Sequence, residues 1–406
     1  MKILIINVNS HVGSTGKISY GLLKYLQNMG HQVKLCCRGG KEESIDDEDI
    51  IALNTKVDLM MSKSLCLLTG YEGIYNRKAT NKVLNIINEF KPDIVQLYHL
   101  HGYWINHYSL LEFLKEKRIK VVYSMLDEYP YLGNCTFSYG CEQWKSRCKN
   151  CPSASRMHYL NSRLFDRSEW TFNRKQSIYN NWDNIVFTGP KWVCKQAKES
   201  SLLKDCPIFN LEEPINPQIF YPRNSRNLRR ELNIPEDAKV VLTVAWASAE
   251  RKGSKYFYQA AMKMRNDKNT YFVHVGYNID SWNLPENYRA IPGVKDQDKL
   301  AEYYSLGDLF ICDSLADTTP TSCMEALSCG TPIAGFNFGA IPYIAPEGLG
   351  TYTKCFDVDA QVEVIKKTTR KDTLLIKRCN NFARDNYWMS TIYKKQVELY
   401  NELLNK

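Results

Sequence analysis

Long apolar runs are missing from this chain of 406 residues. No stretch approaches the ~20 consecutive apolar residues that a membrane-spanning helix needs. The first residues, Met-Lys-Ile-Leu-Ile-Ile-Asn, also lack the basic region, apolar core and small-residue cleavage site of a secretory signal. We therefore expect a cytoplasmic protein, and peripheral contact with the inner face of the plasma membrane stays open.

Clustered charge is missing too. The formal net charge of +9 favours anionic partners. The basic residues are dispersed along the chain, however, rather than gathered in one arm or stripe, which argues against nucleic acid as a partner. A diphosphate-containing ligand or an anionic membrane face explains the excess of positive charge equally well.

Cysteine is abundant, with 14 residues, and four of these lie close together in the sequence. They follow the spacing C-x5-C-x6-C-x2-C-P, at Cys135, Cys141, Cys148 and Cys151. Four thiolates can enclose Zn²⁺ tetrahedrally, and an irregular insertion at about 130–155 would need such a clip. We favour a structural zinc over reduced buried thiols or two disulfides, because disulfides are rare in the cytosol. A catalytic zinc is disfavoured, since protein would fill all four positions.

Strand and helix patterns alternate along the chain in two series. The first begins with a strand at 1–8, a loop at 9–16 and a helix at 17–29. A second series of buried strands starts at Lys239, after a proline-rich connection. Together with the chain length, this predicts an α/β protein with two Rossmann-like domains. We place them at 1–215 and 216–385, with a terminal helix at 386–406.

The most informative segment reads Asp-Thr-Thr-Pro-Thr-Ser-Cys-Met-Glu-Ala-Leu-Ser-Cys-Gly-Thr-Pro and begins at Asp317. It follows a buried strand pattern, and Pro320 is predicted at the first helical position, with the threonine before it, or the one before that, as N-cap. The N–H groups and dipole at such a helix start suit a phosphate. Because Asp317 and Glu325 flank this place, the segment predicts a nucleotide-sugar site. A solvated Asp and a helix-surface Glu are the alternative.

The same segment resembles the acidic-x7-acidic motif of retaining family-4 glycosyltransferases, although the family usually has Glu where this chain has Asp317. The resemblance extends over nearly the whole chain and favours the branch that builds bacterial surface and capsular polysaccharides. It implies the GT-B architecture, in which two Rossmann-like domains face each other across a cleft and a C-terminal helix returns to the first domain. It also implies that Glu325 holds the nucleotide ribose and that Asp317 lies near the donor sugar. We add Thr321 and Ser322 to the predicted donor site.

A basic element, Arg251-Lys252-Gly253, follows the predicted strand at 239–244. The family carries a similar element, whose cations clamp the donor diphosphate and stabilise the leaving nucleotide. Lys252 would act as a point charge, while Arg251 can bind two oxygens at once. A solvated loop is the alternative. The resemblance also implies that no catalytic divalent metal is needed.

Two glycines, Gly13 and Gly16, precede the first predicted helix. Glycines let backbone N–H groups approach a ligand closely. The family places its N-terminal glycine loop beside the donor diphosphate, so we predict donor binding here. A tight strand-to-helix turn is the alternative.

Polar aromatic residues follow the predicted strand at 93–97, at the sheet edge where α/β ligands gather. They are His99, His101, Tyr103 and Trp104. This segment resembles the His-x-x-Gly-Tyr loop of the polysaccharide-forming branch, and we predict that it binds the acceptor or donor sugar. Histidines with a purely structural role are the alternative.

Asp127 follows the predicted strand at 120–125, where that branch usually reads His-Asp-x-Trp. Leu126 replaces the histidine in this chain. Asp127 is therefore the predicted catalytic carboxylate, which either orients the acceptor hydroxyl or acts as a base.

The segment 56–69 is apolar with interleaved lysines and is interpreted as a core helix, with a membrane-interface helix as the alternative. For the whole chain we predict a retaining glycosyltransferase. It would move a sugar from a nucleoside-diphosphate-sugar, whose base stays unknown, to a hydroxyl of a saccharide or lipid-linked saccharide. The alternatives are an epimerase or isomerase of the same fold and a non-catalytic nucleotide-sugar-binding subunit, the latter motivated by Leu126.

Overall fold

The computed structural model describes residues 1–39, 47–152 and 165–405. Its contacts divide the chain into two units. The first comprises Met1–Glu212 with Tyr393–Lys406, and the second comprises Glu213–Ile392. The end of the predicted cysteine-rich insertion, 153–155, lies outside the described residues.

The first unit is built on a parallel sheet with the strand order β3-β2-β1-β4-β5-β6-β7. In chain order its elements are β1 (Lys2–Ile6), α1 (Gly13–Asn28), β2 (Gln32–Cys37), β3 (Ile50–Ala52), α2 (Lys56–Thr69), α3 (Arg77–Phe90), β4 (Ile94–Leu97), α4 (His107–Glu116), β5 (Lys120–Ser124), α5 (Ser168–Tyr179), β6 (Ile185–Gly189), α6 (Lys191–Glu199) and β7 (Ile208–Asn210). The central strands are buried on both faces, which explains their continuous apolar runs.

The second unit is a smaller parallel sheet with the order β10-β9-β8-β11-β12-β13. Its elements are α7 (Arg226–Glu231), β8 (Lys239–Val244), α8 (Ser254–Lys263), β9 (Thr270–Val275), β10 (Tyr288–Ile291), α9 (Gln297–Leu306), β11 (Leu309–Cys312), α10 (Thr321–Ser328), β12 (Ile333–Phe336), β13 (Gly350–Thr353), α11 (Val358–Lys367), α12 (Thr373–Tyr387) and the start of α13 (Met389–Leu404). Two parallel α/β sheets with intervening helices confirm the predicted Rossmann-like domains.

Three helices differ from their predictions. Helix α1 begins at Gly13, four residues before the predicted start at Lys17. Helix α10 begins at Thr321, because Pro320 keeps an extended ψ of 88° and acts as the N-cap without any side-chain cap. The predicted threonine cap is therefore wrong. Helix α2 is not a core helix, since its buried residues are Ser62 and Cys66.

The chain returns to the first unit through its last helix. Helices α12 and α13 are separated at Trp388, whose ψ of 142° breaks the helical pattern. The hydroxyl of Tyr393 then donates to the carbonyl of Ile18 at 3.0 Å. Further along α13, Gln396 and Tyr400 both donate to the buried side-chain oxygen of Gln96 on β4, at 2.8 and 2.7 Å. This buried polar network anchors the terminal helix to the first sheet.

No helix among the described residues is long and apolar enough to cross a bilayer.

Candidate functional site

The basic element lies in a short 3₁₀ turn, Glu250–Lys252, directly after β8. Gly253 ends this turn with a φ of +69°, in the left-handed region. A Cβ at this position would lie 1.9 Å from the carbonyl oxygen of Asp313, just beyond β11. The glycine thus lets the basic turn pack against the chain that leads to α10.

The two motifs that the sequence separates by 65 residues meet at this place. Lys252 Nζ lies 2.5 Å from Asp317 Oδ2. Arg251 Nη1 donates to the carbonyl of Ala316 at 3.0 Å and lies 3.9 Å from Asp317 Oδ2. The backbone N–H of Leu315 donates to the carbonyl of Arg251 at 2.7 Å. The structure therefore brings both predicted cations to the loop in front of α10.

Glu325 lies in the second turn of α10 and is half-buried. Its Oε2 accepts a hydrogen bond from the hydroxyl of Tyr304 at 2.6 Å. Tyr304 is fully buried on α9, and burial raises the pKa of its hydroxyl well above the usual range, so it stays a donor. The first turn of α10 presents Thr321 and Ser322, both half-buried. Tyr304 thus orients Glu325, a role that sequence spacing did not reveal.

Asp313 is a buried carboxyl group that the sequence analysis missed. It follows β11, and its Oδ1 accepts a hydrogen bond from Gln361 at 2.6 Å. Burial raises the pKa of this carboxyl to about 7. Its position after a strand, at the carboxyl edge of a parallel sheet, was the available signal.

The glycine segment of the first unit is part of a helix rather than a free loop. Gly13 opens α1 with a φ of +71°. A Cβ on Gly16 would lie 2.8 Å from the backbone carbon of His11, so this glycine permits close packing. The side-chain amide of Asn7 donates to the carbonyls of Asn9 and Thr15 and holds the turn. Gly16 therefore has a packing role and Gly13 supplies a left-handed backbone, and donor binding at both stays a prediction.

Asp127 faces two histidine rings. Its Oδ2 lies 2.6 Å from His101 Nε2 and 3.3 Å from His99 Nε2. Burial alone would raise the pKa of Asp127, but the two rings and the hydrogen bonds outweigh it and lower the pKa to about 2. Burial lowers the pKa of His99 to about 4, although Asp127 acts in the opposite direction. At neutral pH the site therefore holds an ionised carboxylate.

Glu72 follows α2 and supports the loop after β4 that carries His101. The sequence analysis did not identify it. It is fully buried and accepts hydrogen bonds from the hydroxyl of Tyr129, at 2.7 Å, and from the N–H of Gly102, at 3.1 Å. It thereby connects the chain around His101 to the chain after Asp127.

Lys175 is a second buried support. Its ammonium group donates to the carbonyls of Tyr129, Leu132 and Gly133, and lies 3.4 Å from the centre of the Tyr129 ring. Burial lowers its pKa to about 7. Because one ammonium group binds three backbone carbonyls, Lys175 fixes the irregular chain that follows Asp127.

A pocket of about 570 Å³ opens beside the histidines. Asn9, Thr15 and Arg38 lie on its wall, so the turn before α1 and the histidine loop share one cavity. The other lining residues are Val8, Leu59, Met60, Lys63, His99, His101, Gly102 and Tyr103.

Tyr103 and Trp104, predicted together as sugar-binding residues, separate in the structure. Tyr103 lines the pocket with a φ of +67°, an uncommon conformation for a residue with a side chain. Trp104 has no exposed surface and lies in the main apolar core of the unit. Because its ring is covered on all sides, the prediction that Trp104 contacts a sugar is not supported by this geometry.

The four clustered cysteines are all half-buried, and none forms a disulfide. A hydrogen bond from Cys151 is the main influence that raises the pKa of Cys135, and the charges of Cys141 and Cys148 act on it as well. Burial raises the pKa of Cys148 to about 11. Four thiols have the donor chemistry of a zinc site. Among the described residues, however, no three of these cysteines bring their Sγ atoms within 4.8 Å of one another, so a structural zinc stays a prediction.

A different group has converging ligand atoms. Among the described residues, His99, His101 and Asp127 are the one set of His, Cys, Asp or Glu whose ligand atoms all lie within 4.8 Å of each other. Two of these atoms already share a direct hydrogen bond of 2.6 Å. His101 and Asp127 therefore form a hydrogen-bonded histidine–carboxylate pair. That the protein needs no catalytic divalent metal stays a prediction.

Family models match both halves of the chain. Residues 16–192 match Glycosyltransferase Family 4, and residues 224–387 match Glycosyl transferases group 1. Among curated proteins, the chain is 27% identical over 165 residues to the putative colanic acid biosynthesis glycosyl transferase WcaC of Escherichia coli (strain K12), which covers 38% of this chain and 40% of that protein.

A second relative is the N,N'-diacetylbacillosaminyl-diphospho-undecaprenol alpha-1,3-N-acetylgalactosaminyltransferase of Campylobacter jejuni. It is 24% identical over 200 residues, which are 47% of this chain and 53% of the relative. The chain thus spans about half the length of the curated relatives that it matches.

Solved structures resemble the whole chain. Sucrose-phosphate synthase from Thermosynechococcus elongatus has a TM-score of 0.69 at 16% identity, covering 100% of this chain and 99% of its own. WaaG, a glycosyltransferase involved in lipopolysaccharide biosynthesis, has a TM-score of 0.64 at 15% identity, covering 98% and 99%. Anabaena Alr3699/HepE in complex with UDP-glucose has a TM-score of 0.62 at 13% identity, covering 99% and 100%. These similarities confirm the GT-B fold class. The two family models together match most of the chain, and they show that it belongs to the glycosyltransferases, with a family 4 domain followed by a group 1 domain.

Proposed function

We propose that this protein moves a sugar from a nucleoside-diphosphate-sugar to a hydroxyl of a saccharide or lipid-linked saccharide, with retention of configuration, in building a bacterial surface polysaccharide. The observation that carries the proposal is the contact of Lys252 and Arg251 with the loop before α10. The names of the relatives agree with this chemistry, since one is named a putative colanic acid biosynthesis glycosyl transferase and a structural neighbour was solved with UDP-glucose.

The donor site would lie in the second unit. Lys252 and Arg251 are placed to neutralise the two phosphates, together with the N–H groups at the start of α10. Asp317 pairs with Lys252, and a bound diphosphate would take over this partner. Glu325, oriented by Tyr304, would accept hydrogen bonds from the ribose hydroxyls. Negative charge that develops on the leaving diphosphate is then met by fixed cations.

The acceptor site would lie in the pocket of the first unit. Asp127 has a pKa of about 2 and lies behind the pocket-lining His99 and His101; it would accept a hydrogen bond from the acceptor hydroxyl and orient it. Such an acidic carboxyl is a weak base, because a good general base has a pKa near the working pH. The proton would instead pass to the departing diphosphate oxygen as the new glycosidic bond forms on the same face of the sugar.

The test is a thermal-shift screen of UDP, ADP, GDP and their sugars, followed by a transfer assay with the donor that binds. A bound nucleotide raises the melting temperature by mass action. We expect one base to stabilise the protein and its sugar to appear on a saccharide or lipid-linked acceptor. Release of a free epimerised or isomerised sugar nucleotide would favour an epimerase. Tight donor binding without turnover on any acceptor would favour a non-catalytic subunit.

We also propose that Cys135, Cys141, Cys148 and Cys151 hold one structural zinc ion. The ion would hold the four side chains as thiolates and would clip the irregular chain after Asp127. Metal analysis of the purified protein should find one zinc per chain, which Cys141→Ser with Cys151→Ser removes while lowering the melting temperature. The matched control is Cys206→Ser, a half-buried cysteine outside the cluster. Metal-free protein with unchanged stability after chelation would exclude the zinc.

A further inference from the structure

The cluster of His99, His101 and Asp127 contains a buried nitrogen atom without a hydrogen bond. Among the described residues, His99 Nε2 has no hydrogen-bond partner. It lies 3.3 Å from Asp127 Oδ2, while His101 Nε2 lies 2.6 Å from the same oxygen. Leaving a buried polar atom unpaired costs free energy, so the arrangement needs a physical reason. A cation held between the three side chains would give His99 the partner that it lacks.

The separations of the three ligand atoms suit a transition-metal ion. Zn²⁺ binds histidine nitrogens and carboxylate oxygens at about 2.0–2.2 Å, so neighbouring ligand atoms of a tetrahedral site lie about 3.3 Å apart. His99 and Asp127 already have this separation. His101 would move away from Asp127 by roughly 0.7 Å and would exchange its hydrogen bond for the ion. All three ligand atoms lie within 4.8 Å of one another.

Buried hydrogen bonds hold the two ligand-bearing loops in place. The N–H of Tyr129 donates to Asp127 Oδ1 at 3.0 Å, which leaves Oδ2 to face the histidines. Glu72 accepts hydrogen bonds from the hydroxyl of Tyr129 and from the N–H of Gly102, the residue after His101. Outer contacts of this kind orient the side chains that bind a metal. The carboxylate and the histidines are therefore positioned before any ion arrives.

The ligand set and the pocket determine which ion can bind and how it enters. Two nitrogens and one oxygen favour Zn²⁺ over Mg²⁺ and Ca²⁺, which prefer oxygen ligands. Both histidines line the pocket of the first unit, so an ion can reach them from there. Three protein ligands leave one position of a tetrahedral ion for water.

We propose that His99, His101 and Asp127 bind one exchangeable Zn²⁺ ion, which occupies the carboxylate oxygen that would otherwise face the acceptor hydroxyl. The ion is exchangeable because the protein supplies three ligands and the hydrogen bond between His101 and Asp127 competes with it. Zinc binding does not depend on the sugar chemistry. Its consequence, that zinc and the acceptor compete for the pocket, rests on the proposed function.

The test of the site is equilibrium dialysis of the full-length protein against Zn²⁺, followed by metal analysis. The wild type should hold one zinc per chain more than His99→Gln and one more than Asp127→Asn, because each variant removes a ligand. These differences do not depend on the four-cysteine cluster, which all the variants share. The matched control is His31→Gln, at a half-buried histidine outside the cluster, and it should hold as much zinc as the wild type.

The test of the consequence is a transfer assay at a Zn²⁺ concentration ten times its Kd. The KM for the acceptor should rise about tenfold by mass action, while kcat stays unchanged. The thermal shift produced by the nucleotide should persist, because the proposed donor residues lie in the other unit. In His99→Gln, zinc should no longer raise this KM.

Equal zinc uptake by the wild type and both ligand variants would overturn the site. Uptake of Mg²⁺ by the wild type that His99→Gln abolishes would overturn the choice of ion. Zinc uptake that leaves the KM for the acceptor unchanged would overturn the competition. Zinc uptake by a protein that transfers no sugar from any donor would count against the proposed function alone.

Discussion

Asp127 is ionised although it is buried, because two histidine rings face it. Burial dominates at Asp313, where one hydrogen bond from Gln361 does not offset it and the pKa rises to about 7. Two carboxyl groups that both follow sheet strands thus have opposite pKa shifts. The difference follows from the neighbouring side chains, not from depth in the protein.

At the residue scale, Asp127→Asn keeps the size of the side chain and removes its charge. We expect transfer to fall by roughly 100-fold or more, which is the usual contribution of a positioned proton-transfer or orienting group. Nucleotide binding should persist, because the proposed donor residues lie in the other unit. Transfer rates and nucleotide thermal shifts measure the two effects, with Asp359→Asn on the exposed side of α11 as the control. Full activity of Asp127→Asn would remove this carboxylate from the reaction.

Glu325→Ala removes the carboxylate that Tyr304 orients. We expect transfer to fall at least about tenfold, corresponding to roughly 1.4 kcal/mol of transition-state stabilisation. The nucleotide should also produce a smaller thermal shift. Glu363→Ala, at an exposed glutamate of α11, serves as the matched control. Wild-type turnover by Glu325→Ala would place the ribose elsewhere.

At the scale of elements, glycine sets how closely two segments approach. Gly253 allows the basic turn to contact the chain after β11, as the 1.9 Å separation from a hypothetical Cβ shows. Gly30 has a similar positive φ of +81°, but a Cβ there would meet nothing within 4 Å. A comparison of Gly253 with Gly30 therefore separates the cost of backbone strain from the cost of a steric collision.

Gly253→Ala should therefore destabilise the protein and weaken nucleotide binding, while Gly30→Ala should show only the strain of a left-handed residue, about 1 kcal/mol. The excess loss in Gly253→Ala reports the collision with Asp313 and the displacement of Lys252. Chemical unfolding and nucleotide titration measure both. Equal losses in the two variants would mean that the turn shifts without cost.

At the scale of the whole molecule, buried histidines lower the stability in acid. Burial lowers the pKa of His99, His107 and His274 to about 4 from the usual value of 6.5. The stability that each of these histidines contributes is fully present above about pH 6.5 and is lost as the pH falls towards 4, by about 1.4 kcal/mol per pH unit. Burial raises the pKa of Asp313 and of Glu128 to about 7, so these two carboxyl groups act in the opposite direction over the same range and reduce the net decline.

Thermal unfolding between pH 7.5 and pH 4.5 checks this expectation. His274→Gln should have a shallower decline than the wild type, since one proton-binding group is removed. The exposed-site control Lys268→Gln should follow the wild type. An equally steep decline in His274→Gln and in the wild type would contradict the assignment of a neutral buried histidine at this position.

The sequence alone determined the α/β class, the two domains and the family, because buried parallel strands are continuous apolar runs and helix boundaries carry local signals. It also pointed to Asp317, Glu325, Lys252 and Asp127, which follow strands or open helices. The N-cap at Pro320 and the start of α1 were misjudged by one to four residues, since backbone conformation at helix ends depends on local packing.

Only the tertiary structure decided which of these residues meet. Contacts such as Lys252 with Asp317, Tyr304 with Glu325 and Glu72 with Tyr129 join positions far apart in the chain. It also reversed two interpretations, since Trp104 is buried and the apolar face of α2 is exposed. Composition and periodicity show that a helix has an apolar side, but the direction in which that side points depends on what the rest of the fold places against it.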